Sequence, residues 1–468
     1  MAIILAIFHV LGAVSSIHAI MSTRTAQGAI AWAVSLNTFP YVAVPAYWVF
    51  GRNKFNGYVT ARQLVDEELL KISPETVANL EPYLVPHEEL TPGLRMVDTL
   101  TDMPFSVGND LELLVDGDAT FESIITGIGG AQEYVLFQFY IIKDDEIGRR
   151  LKDLLITKSQ EGVRVYFLFD EVGTKLPRSY LQELQDAGIE VSAFNTTQGS
   201  GNRFQINFRN HRKIVIVDGK AAWIGGHNVG DEYLGRDPKF GHWRDTHARL
   251  LGPAVLGAQL SFLEDWYWAT REKLNVDWHP DPVAQAKQKS LVIPTGPADV
   301  RETASLMYVQ AISAATERLW IASPYFVPDE AVLKALELAD LRGVDVRILI
   351  PDKPDHLLVH LAAFVYVESL DHTDIGFYRY TKGFLHQKVV LVDNHTAVVG
   401  TANLDNRSLR LNFEVSLLVV DEPFAAEVAA MLEEDFAHSR RMQPGELSEK
   451  PWWFRLGARV ARLTSPIL

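Results

Sequence analysis

Two short runs in this chain share one spacing. HRKIVIVD, His211 to Asp218, and HQKVVLVD, His386 to Asp393, both read His-x-Lys-x4-Asp. A single match of this kind is weak, but here each is followed by small residues and an asparagine: Gly225, Gly226 and Asn228 after the first, Gly400, Thr401 and Asn403 after the second. Extended chain turns side chains two apart to the same side, so His211 lies with Lys213 and His386 with Lys388, with the intervening apolar residues free to bury the other face. The far-end acids, Asp218 and Asp393, do not easily reach the same point and read first as structural. Two imidazoles and two ammonium groups suit transfer at a phosphodiester. One His attacks phosphorus; the other protonates the departing alkoxide and then deprotonates the incoming alcohol. Lys213, Lys388 and the amides of Asn228 and Asn403 would hold the phosphoryl oxygens, the work a metal ion does elsewhere. Each His also needs a fixed tautomer, usually set by a carboxylate on its far nitrogen. Asp245 in WRDTH and Glu414 in NFEVS, downstream in the two halves, are the candidates.

The elements that must position these groups are themselves duplicated. Strand-like Tyr134 to Ile141, helical Asp144 to Gln160 and strand-like Val163 to Asp170 recur as Arg318 to Ser323, Asp329 to Arg342 and Val344 to Ile350. DDEI (Asp144 to Ile147) and PDEA (Pro328 to Ala331) occupy equivalent places. A period near 180 residues is too long for a solenoid and implies two homologous α/β sandwich domains, residues 106–274 and 296–441. Residues 275–295, with Pro280, Pro282 and Pro294, read as the linker, and residues 52–105, punctuated by Pro74, Pro82, Pro86 and Pro92, as a connector without catalytic chemistry.

Residues 1 to 23 carry no charged side chain, nor do Thr25 to Gly51. Each stretch is long enough to cross a bilayer, so residues 1–51 are expected to form a transmembrane hairpin; Pro40 and Pro45 would bend its second helix. No Lys or Arg precedes the first apolar run, which argues against a signal peptide. Arg52, Lys54 and Arg62 follow the second run, against Arg24 alone in the turn, which places the catalytic domains in the cytoplasm. The tail, residues 442–468, mixes Trp452, Trp453 and Phe454 with Arg455, Arg459 and Arg462, a pattern that suits a membrane-surface helix or one docked on the body. A net charge of −15 speaks against a nucleic-acid partner, and the absence of cysteine excludes disulfides, thiolate metal sites and a cysteine nucleophile.

The paired motifs with their GGxN and GTxN continuations resemble the phospholipase D superfamily. The apolar N-terminus, SPYFVPD from Ser323 to Asp329, GTANLDNRSLRLNFE from Gly400 to Glu414 and the Ser-Pro-Ile-Leu end are similar to bacterial cardiolipin synthases, over nearly the whole chain. The resemblance implies a multi-pass enzyme of the bacterial inner membrane, without a cofactor or catalytic metal. Its substrate would be phosphatidylglycerol: one molecule gives its phosphatidyl group to an enzyme His, glycerol leaves, and a second resolves the intermediate. It also implies that His211, Lys213, Asp218, His386, Lys388 and Asp393 are the active-site set, with His211 the nucleophile. A membrane-bound phospholipase D hydrolase, or a transferase with another acceptor, would carry the same motifs.

Overall fold

The computed structural model of the chain describes residues 2–52, 54–55, 57–60, 62, 78–101, 103–198 and 205–468. Strand-forming runs rich in Val, Ile and Phe alternate with amphipathic helices, and the duplication is explicit in the sheet. In the first half the strand order is Ser106–Val115, Thr246–Leu251, Ala221–Gly225, Ile214–Val217, Tyr134–Phe139, Arg164–Asp170, Glu190–Phe194. In the second it is Gln288–Thr295, Asn412–Val420, Thr396–Gly400, Val389–Val392, Arg318–Ala322, Asp345–Pro351, Gly376–Tyr380, with Ser439–Arg441 added at the edge. The two leading strands meet antiparallel at Ser106 with Ser290 and Asn109 with Gln288, so both halves share one continuous sheet. The equivalence extends to helix capping. Asp145 accepts from the Gly148 amide to start Glu146–Gln160, and Asp329 accepts from the Val332 amide to start Glu330–Leu341, which is why DDEI and PDEA match.

Two expectations change. The motif strands Ile214–Val217 and Val389–Val392 are buried on both faces, because helices cover both sides of the sheet; His211 to Lys213 and His386 to Lys388 form extended lead-ins just before them. The expected linker 275–295 already contains Gln288–Thr295, the first strand of the second repeat, so that repeat begins before residue 296. Pro294 is accommodated because the leading strand of the first repeat pairs only near Gln288 and Ser290, leaving that side of the strand without a ladder to break. The connector also packs against the body: Phe55 and Tyr58 are buried between Trp268 and Phe413, and the Tyr58 hydroxyl donates to Asp265 Oδ1 at 2.7 Å. Its residues 63–77 lie outside the described residues.

The largest correction concerns the apolar N-terminus. Ala2–Ser22 is a single helix, and among the described residues Ile3–Ser22 is the one span long and apolar enough to cross a membrane. It exposes Ile3, Ile7, Val10, Val14, Ile17 and Ile20, unlike the core helix of a soluble protein. The second apolar stretch is split into Ala26–Thr38 and Pro40–Phe50, about 20 and 16 Å long at 1.5 Å per residue, with Phe39 off helical geometry at φ −132° and ψ 58°. The two pieces double back along the first helix. Asn37 Nδ2 donates to Ser16 Oγ at 2.7 Å on the way out, Tyr41 meets Phe8 and His9 edge to face at the far end, and Tyr47 OH meets His18 Nδ1 at 2.6 Å on the return. Gly12 makes the turn possible, since a Cβ there would lie 2.2 Å from Leu36 O and 3.2 Å from Pro40 Cβ. Arg24 and the segment after Gly51 therefore emerge on one side. Arg24 pairs with Glu302 at 2.8 Å, while Phe55 N donates to Pro297 O at 3.1 Å. Instead of the expected hairpin of two long helices there is one long apolar helix with a pair of short helices that reverse direction against it. Proline at Pro40, placed where a second helix can begin but the first cannot continue, supplies the break.

Candidate active site

Each motif lead-in pairs with a strand of the opposite repeat. Arg209–Asn210 runs parallel to Asn412 and Phe413, and His211 N donates to Phe413 O at 2.8 Å. Gly383–Leu385 runs parallel to His242–Arg244, and His386 N donates to Arg244 O at 2.8 Å. The residue after each acceptor is the orienting acid, so the carboxylates are exchanged between repeats. His211 Nδ1 lies 2.8 Å from Glu414 Oε2, and His386 Nδ1 lies 2.7 Å from Asp245 Oδ2. Both candidate orienting acids are in place, each serving the histidine of the other half. With Nδ1 engaged, Nε2 is the free nitrogen of each ring.

The four motif bases form one buried cluster. Lys213 Nζ donates to His211 O at 2.7 Å, and Lys388 Nζ donates to His386 O and lies 2.8 Å from His386 Nδ1. Burial pushes Lys213 down to about 7, with Glu414 opposing and Lys388 adding to the fall. Burial likewise takes Lys388 down to about 8. Each lysine from one motif therefore feels groups of the other. Burial holds His211 at about 4 against the pull of Glu414; burial and then Lys388 hold His386 at about 4. Both rings are therefore neutral at pH 7, which suits a nucleophile, whereas a ring that acts as general acid must first take up a proton on Nε2. The acids stay ionised despite burial: Lys388 and His227 hold Asp245 well below the usual carboxylate range, and His211 holds Glu414 down.

The two carboxylates are seated differently. Glu414 Oε2 also accepts from Thr401 Oγ1 at 2.6 Å, and Oε1 accepts from Asn412 Nδ2 at 3.1 Å. Asp245 Oδ1 accepts from the backbone N–H of Thr246 at 2.9 Å, and Gly226 stands where Thr401 stands in the other half, since a Cβ at Gly226 would meet Asp245 Oδ1 at 1.9 Å. GGxN and GTxN are therefore matched to a short and a long acid.

The remaining motif residues divide. Asp218 and Asp393 are not brought into the cluster. They sit in left-handed turns at φ 54° and 52°, where Asp218 accepts from the amides of Gln132, Glu133 and Tyr134, and Asp393 from those of Thr316, Glu317 and Arg318. Expected among the catalytic residues by resemblance, they instead tie the motif hairpin to the neighbouring strand. Asn228 Oδ1 accepts from Ile141 N at 3.1 Å and its Nδ2 donates to Tyr233 OH at 3.2 Å, so its amide serves the loop in this structure; Asn403 is buried with Oδ1 unpartnered. Sequence reasoning missed the layer behind. Arg212 pairs with Asp265 at 3.0 Å, Arg244 with Asp435 at 2.6 Å, and His227 Nδ1 lies 3.1 Å from His247 Nδ1. Tyr140 packs on His211 with ring centroids 4.9 Å apart, and Trp243 on His386 at 5.2 Å. The only signal for these was adjacency: Arg212 follows His211, and Trp243 and Arg244 precede Asp245. Among the described residues no group of three or more His, Asp or Glu is arranged to hold a metal ion.

Comparison with known proteins gives the family and the fold. The family described as cardiolipin synthase, PLD-like domain, matches residues 124–237 and 308–437, one segment in each repeat. Cardiolipin synthase A of Pseudomonas fluorescens is 50% identical over 99% of this chain and 98% of that relative, and cardiolipin synthase A of Pseudomonas aeruginosa is 48% identical over 98% and 94%. Among solved structures, phosphatidylserine synthase of Haemophilus influenzae shares the fold with a TM-score of 0.61 and 16% identity, covering 81% of this chain and all of that one.

Proposed function

The chain belongs to the cardiolipin synthase family of phospholipase D-like proteins, and from that membership we propose a two-step mechanism for cardiolipin synthesis from phosphatidylglycerol. His211 Nε2 attacks the phosphorus of one phosphatidylglycerol, its bond to the glycerol head group breaks, and His386, which takes up a proton on Nε2 beside the anionic phosphodiester, gives that proton to the departing glycerol oxygen. In the second step His386 takes the proton of a glycerol hydroxyl on a second phosphatidylglycerol; that oxygen attacks phosphorus and the P–N bond breaks. Atoms and protons balance as two phosphatidylglycerols giving cardiolipin and glycerol.

The observation that carries this reading is the exchanged pair of imidazole–carboxylate bonds. It fixes both free Nε2 atoms in one cluster supported by two lysines and ties the two repeats into a single centre. Lys213 and Lys388 supply charge for the phosphoryl oxygens, and Asn403 retains hydrogen-bonding capacity beside them. Phospholipid substrates fit a body joined to an exposed apolar helix. The re-entrant geometry puts Arg24, Arg52 and Arg62 on the side of the catalytic body, which supports a cytoplasmic body and a first helix crossing outward.

The test is the product mixture from phosphatidylglycerol carrying separate labels in its diacylglycerol and head-group glycerol. Cardiolipin with release of one labelled glycerol per cardiolipin is expected. Phosphatidic acid as the main product would make the enzyme a hydrolase and overturn the acceptor assignment.

A further inference from the structure

A cavity of about 620 Å³ lies away from the histidines, where the N-terminal helices meet the second repeat and the end of the tail. Its rim carries Thr23 and Arg24 from the end of the first helix and Phe50 and Arg52 from the end of the re-entrant pair, so it opens at the level where the chain leaves the apolar region. Its wall is amphipathic. Trp32, Phe50 and Leu463 line it on the membrane side, while Arg24, Arg52, Arg410 and Arg462 outnumber the acids in the lining, Asp329 and Glu330. Arg410 is committed to Asp329 at 2.6 Å, and Arg24 to Glu302. Arg462, by contrast, lies over the Tyr366 ring at 5.6 Å and forms no ion pair among the described residues. Two hydroxyls of the lining have no hydrogen-bond partner among the described residues. Ser465 is 5% exposed and its Oγ is buried without a hydrogen-bond partner, and Thr23 Oγ1 is likewise unpartnered. An unsatisfied buried hydroxyl costs free energy unless something fills it, and both hydroxyls belong to residues that line the same cavity as Arg462. Burial and then the neighbouring Arg24 lower Arg410, which marks a local surplus of positive charge.

We propose that this cavity is a second, non-reacting phospholipid site that holds the phosphate of an anionic glycerophospholipid at Arg462, Ser465 and Thr23, with the acyl chains leaving past Trp32 and Phe50 into the bilayer. The volume suits a head group and its glycerol ester region, the lining combines apolar walls with few polar groups, and a guanidinium with two hydroxyls is a good phosphate cradle. No histidine or lysine lines it, so it performs no transfer. The bound lipid would bridge the first helix, the tail end and the second repeat. This inference is independent of the transfer mechanism.

The test uses the delipidated full-length protein in a neutral detergent, titrated with dioleoyl phosphatidic acid, which has no head-group alcohol to transfer. Native mass spectrometry counts bound lipid, and hydrogen exchange follows residues 23–28 and 463–468. Saturable binding of one lipid, with slowed exchange in both segments, is expected. That binding should persist in His211→Ala and weaken about tenfold in Arg462→Glu and in Ser465→Leu, the loss of about 1.4 kcal/mol of phosphate contact. Glycerol phosphate and dioleoyl phosphatidylcholine should each fail to compete. Unchanged binding in the variants, or no protection of the two segments in the unmutated protein, overturns the site. Equal competition by glycerol phosphate would make it a free-phosphate site, and equal competition by phosphatidylcholine an unselective apolar groove; either overturns the proposal. The exchange measurement on unmutated protein keeps the test decisive if a variant fails to fold.

Discussion

Exchange of the orienting acids between repeats predicts that an acid of the second repeat controls the histidine of the first. The perturbation is removal of one negative charge with shape retained: Glu414→Gln and Asp245→Asn. The surroundings make these two substitutions unequal. In Glu414→Gln the amide oxygen can keep His211 Nδ1 and Thr401 Oγ1, because Asn412 can turn and offer its Oδ1, now unpartnered, to the new NH2 group. The tautomer survives, and what is lost is the charge opposite the imidazole as the P–N bond forms. A charge-assisted bond, worth about 1.5 to 3 kcal/mol, is about twice as strong as a neutral one, a difference of about 0.7 to 1.5 kcal/mol, so the attack should slow roughly 3- to 10-fold. In Asp245→Asn one position faces the Thr246 N–H, which can only donate, so the new NH2 is driven toward His386 Nδ1 and forces the wrong tautomer. That should cost on the order of 10³-fold in steps that need His386. A phosphatidyl ester of nitrophenol separates the steps, because its leaving group needs no general acid. With it, Glu414→Gln should slow the burst of nitrophenolate, while Asp245→Asn should burst almost normally and then stall, with a phosphatidyl adduct on His211. An adduct on His211 together with a slow burst in Asp245→Asn and a normal one in Glu414→Gln would refute the exchanged pairing. An adduct on His386, with the two effects interchanged, would reverse the roles and leave the pairing standing. Absence of any adduct with steady turnover of the activated ester would remove the covalent mechanism.

Asp218→Asn and Asp393→Asn should lower thermal stability, by about 1 to 2 kcal/mol each for the weakened amide bonds, yet keep turnover of the folded enzyme within about tenfold; a loss as large as that of Lys388→Ala would return these acids to the chemistry. Because Lys213 at about 7 and Lys388 at about 8 must be protonated to hold phosphoryl oxygens, kcat/KM should fall as pH rises through that range, where ordinary lysines would leave it flat; the limb in kcat should lie at higher pH, since bound phosphate favours the ammonium form. With one crossing helix, a tag before residue 1 should be cleaved by protease in cells whose outer envelope alone is permeabilised, and a tag after Leu468 should be protected; both tags protected would restore the two-span hairpin. Activity should persist in EDTA once effects of divalent ions on lipid packing are controlled, and recovery that requires an added divalent ion would overturn transfer supported by lysine alone.

What could be read from the residues follows the range of the interactions that decide each feature. The α/β alternation and the duplication are local patterns, and capping acids such as Asp145 and Asp329 appear at their expected offsets from the helices they start. His211 with Lys213 is equally local, needing only an extended chain. That Asp245 and Glu414 would stand against histidines was also legible, by type and place in the repeat, but not which histidine each would meet. That choice spans 203 and 141 residues, and it is made by backbone pairing of His211 with Phe413 and His386 with Arg244, which no side-chain pattern announces. The motif aspartates show the opposite failure: the strand geometry already argued that they sit too far from the histidines, and the resemblance argued otherwise. The left-handed turns at Asp218 and Asp393 side with the geometry. The N-terminus was misread for a third reason. A span and a re-entrant pair have the same composition, and length alone favoured two spans across residues 1–51. The deciding facts are steric and singular: a proline at position 40 that can begin a helix but not continue one, and a glycine at position 12 whose missing Cβ lets the returning chain lie against the first helix. The same reversal brings Thr23 and Arg52 to one rim, so the lipid cavity follows from Gly12 and Pro40 as directly as the topology does.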